Sequence, residues 1–379
     1  MGSAVSRPKS APAMATRQVV LLVGSAARLV EAVEASGGQA QVADSGEAPE
    51  LLRRLGPSVA CVVCENPGLL PELRKGEYKQ IFTIAMDEAL ADDPLRRLGA
   101  FAQGARMVSA GPSFVEKAVA QALEVARQVG PFACPGCGLC LSEDALHLHM
   151  HFHHAVENLP KAPCPICGEQ EGSVAVHVHN RHGPSDAREP PSAPYATFAW
   201  CVCRHPDGRF LLVNEPAGIS GGRPGFWLPA GRVDHGESLQ EACVREALEE
   251  AGVAVRVTGV LRMMVDSQQT LRVVFLAEPE DPAAQPKSIP DWESVGAMWV
   301  TVEELQKLKA EHYRHPDPAE LFPPVAAGKL QPHPVDTAAF VELEALIRRL
   351  TKGERKAAKE LDRVWQNVVS TYPASVFQR

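Results

Sequence analysis

Residues 231–253 read GRVDHGESLQEACVREALEEAGV, and the spacing of glycine, carboxylate and arginine in this stretch governs how the rest of the chain is interpreted. From Glu241 to Ala251 the residues favour a helix throughout except at Cys243 and Val244, and Gly252 tolerates the left-handed turn that ends one. Ser238 caps the start, with Glu241 three residues later as its capping-box partner. On this helix Glu246, Glu249 and Glu250 share one face at spacings of three and four, so like charges crowd together. Magnesium relieves such crowding, because it is small and hard and is held by carboxylates together with phosphate oxygens. Glu237 on the preceding loop points to the same ion, and Arg245 fixes a carboxylate through a bidentate pair.

The pattern G-x5-E-x7-R-E-x2-E-E-x-G, carried by Gly231, Glu237, Arg245, Glu246, Glu249, Glu250 and Gly252, resembles the Nudix box of Mg-dependent hydrolases that cleave diphosphate linkages. Ala247 stands where the family has a bulky aliphatic residue, a departure that removes no catalytic group. The resemblance covers about residues 195–310 and implies a mixed sheet between helices, an α/β/α sandwich. It also implies Glu237, Glu246, Glu249 and Glu250 as ligands of Mg2+, with Mn2+ as a substitute, and Arg245 as the residue that orients them. The catalytic base is left between Glu249 and the loop residue Glu293. The segments WLPAGRV, LRVVFLAEP and ES-x3-MW resemble the branch acting on nucleoside diphosphates, oxidised guanine nucleotides included; diphosphate sugars, dinucleotides and NADH stay open.

Before this domain the chain reads as an α/β multidomain protein. Residues 18–130 alternate apolar runs, VVLLVG (19–24), AQVAD (40–44), VACVVC (59–64), IFTIAM (81–86) and ARMVSA (105–110), with helix-like segments. Uninterrupted apolar strands between amphipathic helices call for a parallel sheet covered on both faces. This topology resembles a response-regulator receiver. The phosphoacceptor positions hold Gly24-Ser25, Cys64-Glu65, Ala85-Met86 and Ala110-Gly111, which cannot build an aspartyl phosphate, so a degenerate receiver serving as a protein-interaction platform is expected.

Composition changes at Pro131: five of the ten cysteines fall within 131–185, which marks a metal module. CPGCG (134–138) and CPICG (164–168) are each followed by a run of histidines. Thiolate pairs spaced C-x2-C with imidazoles downstream fit structural zinc, and the module resembles a pair of Cys2His2 fingers. The assignment that keeps H-x4-H in both copies is Cys134, Cys137, His149 and His154, then Cys164, Cys167, His177 and His182, with His153 and His179 as alternatives. Cys140 is expected to be a spare buried thiol.

The formal net charge of -8 argues against general attraction to nucleic acid. With no run long enough to span a bilayer and no secretory leader, a cytoplasmic protein is expected. Gly2 and Ser6, in a leader over 1–17, have the spacing of an N-myristoylation signal that would give weak membrane attachment. After residue 310 a proline-rich stretch (313–336), too rich in proline for a regular helix, precedes two helix-like segments within 311–379 that cover the hydrolase or form a dimer face. The competing functional classes are a catalytically inactive zinc-stabilised adaptor and a nucleic-acid-binding regulator.

Overall fold

A continuous run of β-branched and aliphatic residues has no polar side to turn to water, so it must be sandwiched, and the inner strands of the parallel sheet follow that rule. The structure, a computed structural model, describes residues 17–73, 76–86, 93–109, 111–170, 172–184, 196–217, 223–266, 270–354 and 356–378. The expected acylated leader, the boundary over 185–194 and the start of the glycine-rich loop at 218–222 lie outside the described residues. The chain packs as two units: one takes in residues up to 88, 99–154 and 158–184, the other 89–98, 155–157 and 185–379.

In the first unit β1 (Val19–Val23), β2 (Gln39–Ala43), β3 (Val59–Cys64), β4 (Phe82–Met86) and β5 (Met107–Ser109) form a sheet in the order β2-β1-β3-β4-β5. Every pairing is parallel, and this is a standard doubly wound order. β1, β3 and β4 are buried at every position, whereas β2, at the edge, is buried only at Ala43. The sixteen-residue helix Pro112–Arg127 starts on a proline at a position whose N–H has no partner inside the helix. A helix over Pro94–Gln103, unanticipated from the sequence, leads from β4 to β5. The Cys/His module belongs to the same unit: Phe82 of β4 stacks on Phe152 with centroids 3.9 Å apart, so packing continues past residue 130.

In the second unit β8 (Thr197–Cys203), β9 (Phe210–Glu215), β10 (Gly225–Trp227), β11 (Ala230–Arg232), β12 (Val255–Val265), β13 (Leu271–Pro279), β14 (Gly296–Val300) and β15 (Phe377–Gln378) make two sheets. Their orders are β10-β9-β14 and β11-β8-β13-β12-β15, the latter mixing parallel and antiparallel pairs. Successive residues of β8 point to opposite faces. Ala199, Cys201 and Cys203 enter one core with the helices Leu239–Ala251, Ala338–Thr351 and Leu361–Thr371. Trp200 and Val202 enter a second core with Leu305, Leu321 and Phe322. Helices therefore cover both faces, as expected of an α/β/α sandwich.

One local expectation was wrong. The proline-rich stretch contains a helix over Asp317–Ala326. Pro318 occupies its first turn, and the cost of Pro323 and Pro324 inside it is offset by burial of Leu321, Phe322 and Val325, with Phe322 stacked on Phe210 at 4.6 Å. Residues 225–227 and 230–232 pair as β10 and β11. Gly225 takes φ 145°, a conformation open to glycine, and its missing Cβ leaves room for the backbone of 312–314.

Candidate active site and Cys/His clusters

The helix Leu239–Ala251 begins with the expected capping box: Ser238 Oγ accepts from Glu241 N and Glu241 Oε2 accepts from Ser238 N at 2.9 Å. It ends at Gly252, φ 68°. Sequence reasoning missed a second anchor at its start. Glu344, from the helix Ala338–Thr351, accepts from Leu239 N at 3.0 Å and Gln240 N at 3.1 Å, placing a buried carboxylate against the positive end of the helix. Arg348 adds an ion pair to Glu241 at 2.7 Å.

Arg245 is the hub of the box. Its Nε and Nη2 donate to the two oxygens of Glu237 at 2.9 and 3.0 Å, the expected fork. Its Nη1 donates to Glu246 at 2.8 Å and Glu249 at 2.9 Å, while Nη2 also reaches the carbonyl of Arg232 at 2.8 Å. Burial pulls the guanidinium pKa down, but Glu237, Glu246 and Glu249 together outweigh it and push the pKa up. Glu250 is held separately: its Oε2 accepts from Ala230 N at 3.0 Å. Gly231 has to be glycine for a steric reason, since a Cβ there would lie 2.6 Å from Glu246 Oε2 and overlap Oε1 and Cδ outright.

Glu293 lies on a loop fixed by Asp291, whose Oδ1 accepts from the backbone N of Glu293 and Ser294, both at 3.0 Å. Burial, then Glu249 and Asp291, pushes its carboxyl up to about 7. Burial, with Glu249 and Glu293 adding to it against Arg245, also lifts Glu246 to about 7. Glu250 is raised well above the ordinary range by burial, then by Glu215 and Glu246. Glu215, at the end of β9, is a buried acid that no sequence signal disclosed; Arg314 pairs with it at 3.3 Å. This is an all-oxygen donor set with more buried carboxylate than Arg245 and Arg314 neutralise, which fits a hard divalent cation. Next to the box, Trp227 donates its indole N–H to Asp317 at 2.7 Å and lies under Arg314, 5.5 Å from the ring.

The Cys/His module repeats one turn twice. Gly138 N donates to Cys134 O and Gly168 N donates to Cys164 O, both at 2.8 Å, with both glycines at positive φ. β6 (Val129–Ala133) and β7 (Cys140–Leu141) precede the first helix, Glu143–His153; the second helix is Val174–His182. Cys134, Cys137, His149 and His154 come together, as do Cys164, Cys167, His177 and His182, each group with its ligand atoms within 4.8 Å of one another. The S···N separations are 3.4 Å for Cys134–His154, 3.3 Å for Cys137–His149 and 3.2 Å for Cys167–His177. A tetrahedral zinc ion with ordinary bond lengths sets that edge at about 3.5 Å, so the donor sets fit the ion. The alternatives are used otherwise: His153 Nε2 bonds Lys79 O at 2.9 Å and His179 Nδ1 meets His147 Nε2 at 3.0 Å. Cys140 is half-buried rather than enclosed.

A sequence profile described as the NUDIX domain matches residues 194–323. Putative nudix hydrolase 1 of Caenorhabditis elegans is 32% identical over 105 residues, 28% of this chain and 28% of that protein. Phosphatase NudJ of Escherichia coli (strain K12) is 33% identical over 144 residues, 37% of this chain and 88% of that protein. Among solved structures, a NUDIX hydrolase from Nitrosomonas europaea has 28% identity, with 36% of this chain and 93% of that one covered and a TM-score of 0.30. With a relative matched over most of its length at that identity and with every charged position of the box filled, the chain belongs to the Nudix hydrolases, enzymes that act on phosphorus-containing anhydrides.

Proposed function

We propose that the chain hydrolyses the diphosphate linkage of a nucleoside diphosphate derivative in a magnesium-dependent reaction, with an oxidised guanine nucleotide as the first candidate. The observation that carries this is the pair of buried carboxylates, Glu246 and Glu250, with the half-buried Glu293 near them, held beside an arginine that is already shared among three acids. Nudix enzymes generally use divalent cations such as Mg2+. Glu237, Glu246, Glu249 and Glu250 would hold the ion here, with Mn2+ able to replace it. When bound, the ion supplies charge neutralisation at the substrate's phosphate oxygens and a more acidic water. Arg245 keeps the Glu237 loop and the helix carboxylates in register. Glu293 takes the proton of the attacking water, since Glu249 is engaged by Arg245 and the Glu293 carboxyl sits near neutrality.

The nucleotide preference is supported by Trp227, an aromatic face with a guanidinium and a carboxylate beside it, a combination suited to a purine that carries donors and acceptors. The test is a panel of nucleoside diphosphates, triphosphates, diphosphate sugars and dinucleotides, with release of phosphate, pyrophosphate and nucleoside monophosphate followed separately. Magnesium-dependent release of monophosphate and phosphate from a nucleoside diphosphate is expected. No release from any member, or equal release by Glu250→Gln, refutes it.

Residues 131–185 are proposed to hold two structural zinc ions in the Cys2His2 sets described above. Residues 18–130 are proposed to be a degenerate receiver that presents an interaction surface. Support comes from the β2-β1-β3-β4-β5 order together with Gly24, Glu65 and Met86 where phosphoacceptor chemistry would need other side chains. Phosphate incorporation from acetyl phosphate into this region would overturn that assignment.

A further inference from the structure

One group of ligand-type side chains remains outside both Cys/His sets. His147 and His151 lie one helical turn apart on Glu143–His153, and His179 faces them from Val174–His182. All three are buried, and one ring nitrogen of each lies within 4.8 Å of those of the others. The rings form a closed triangle: centroids are 4.9 Å apart for His147–His151, 5.2 Å for His147–His179 and 5.1 Å for His151–His179.

We propose that His147, His151 and His179 form a third metal site, an all-imidazole site for a borderline divalent transition-metal ion, with Zn2+ as the first candidate. Two nitrogens on a tetrahedral zinc ion sit about 3.3 Å apart at ordinary bond lengths. His147 Nε2 and His179 Nδ1 are 3.0 Å apart, so the pair needs only a small opening to accept the ion. The plain alternative is a hydrogen-bonded imidazole pair. That account uses two of the three rings, whereas an ion that replaces the pair draws one nitrogen from each of the three. Imidazole donors without thiolate suit zinc, copper and nickel, and three of them leave one position for an exogenous ligand. The ion would join the two helices directly, a link that neither Cys/His set makes, since each draws its ligands from a single turn and its following helix.

The test is metal stoichiometry on the full-length chain, loaded with Zn2+, freed of loose ion and measured by mass spectrometry. Thiol blocking with a mercurial then separates thiolate-bound zinc from imidazole-bound zinc. Three equivalents are expected, two released by the mercurial and one resistant to it. His151→Gln and His179→Gln should each lose the resistant equivalent and keep the two labile ones, which also shows that the module remains folded. Glu250→Gln should retain all three. Should a histidine variant lose all its zinc, cobalt loading of the unaltered chain decides: a third equivalent without thiolate charge-transfer absorption supports the site, and saturation at two equivalents overturns it. Two wholly labile equivalents in the unaltered chain, or a resistant equivalent that survives both histidine changes, would also overturn it.

Discussion

Replacing Gly231 with alanine asks whether the box works through the position of one carboxylate. The added Cβ would lie 2.6 Å from Glu246 Oε2 and would overlap Oε1 and Cδ. Non-bonded carbon and oxygen settle beyond 3 Å, so the carboxylate has to retreat by about 1 Å, a misplacement that costs on the order of a hundredfold in rate. That factor corresponds to about 2.7 kcal/mol of transition-state stabilisation. The obstructing atoms are the end of a flexible side chain and not backbone, so the fold yields with little loss, roughly 1 kcal/mol or less. The retreat also strains the 2.8 Å ion pair to Arg245, which in turn holds Glu237 and Glu249. The assay is steady-state turnover on the best substrate of the panel, paired with a thermal melt. Gly99→Ala, in a helix with nothing within 4 Å of the added carbon, is the control. Turnover within threefold of the unaltered protein, or a loss matched by unfolding at the assay temperature, would refute the argument.

Glu293→Gln should lower turnover about a hundredfold or more and abolish the acidic limb expected of the unaltered enzyme near pH 7, where Glu293 protonates; an unchanged pH profile would remove it as the base. The same carboxyl, and that of Glu246, rise in the folded state to about 7 from the ordinary glutamate value of 4.5. The folded chain therefore binds extra protons between those limits, and without a divalent cation its stability falls as pH rises through that window. Glu293→Gln should flatten the decline, as read from melting temperature against pH; an identical slope in the variant counts against it. Glu344→Gln, which turns an acceptor of two helix N–H groups into a half-donor, should cost about 1–2 kcal/mol and lower the melting temperature by several degrees without abolishing metal-dependent hydrolysis; no change in the melt would rule the anchor out. Stripping all zinc with a strong chelator, the mercurial-resistant equivalent included, should melt the helices Glu143–His153 and Val174–His182, seen as lost helical circular dichroism that returns with zinc; an unaltered spectrum would mean these turns fold without metal.

The parts legible in the sequence were those fixed by local rules. Ser238 and Glu241 cap the box helix through neighbours three residues apart, and the apolar runs of β1, β3 and β4 are buried as continuous strands must be. The C-x2-C pairs with histidines downstream also pointed to the two Cys/His groups that come together, while the choice between H-x4-H and the alternatives His153 and His179 stayed open at that stage. What escaped depends on partners distant along the chain. Glu344 meets Leu239 across 105 positions, and Glu215 becomes a site neighbour only when β9 lies beside the box helix. The helix over Asp317–Ala326 defied its prolines because Phe322 stacks on Phe210, a tertiary contact that overrides local propensity. His147, His151 and His179 were passed over for the same reason: the first two share a helical spacing, but the third comes from another helix.

The match to the family profile ends at residue 323, inside the helix Asp317–Ala326. The layer that covers the box is finished only later, by Phe340, Leu343 and Ile347 and by β15, which pairs with Met263 and Met264 of β12. The profile's span and the mechanically complete domain thus end at different places in this enzyme. A fragment trimmed to the shared segment would carry every charged group of the motif yet bare the greasy underside of its scaffold, and silence from such a fragment would say nothing about the chemistry of the whole.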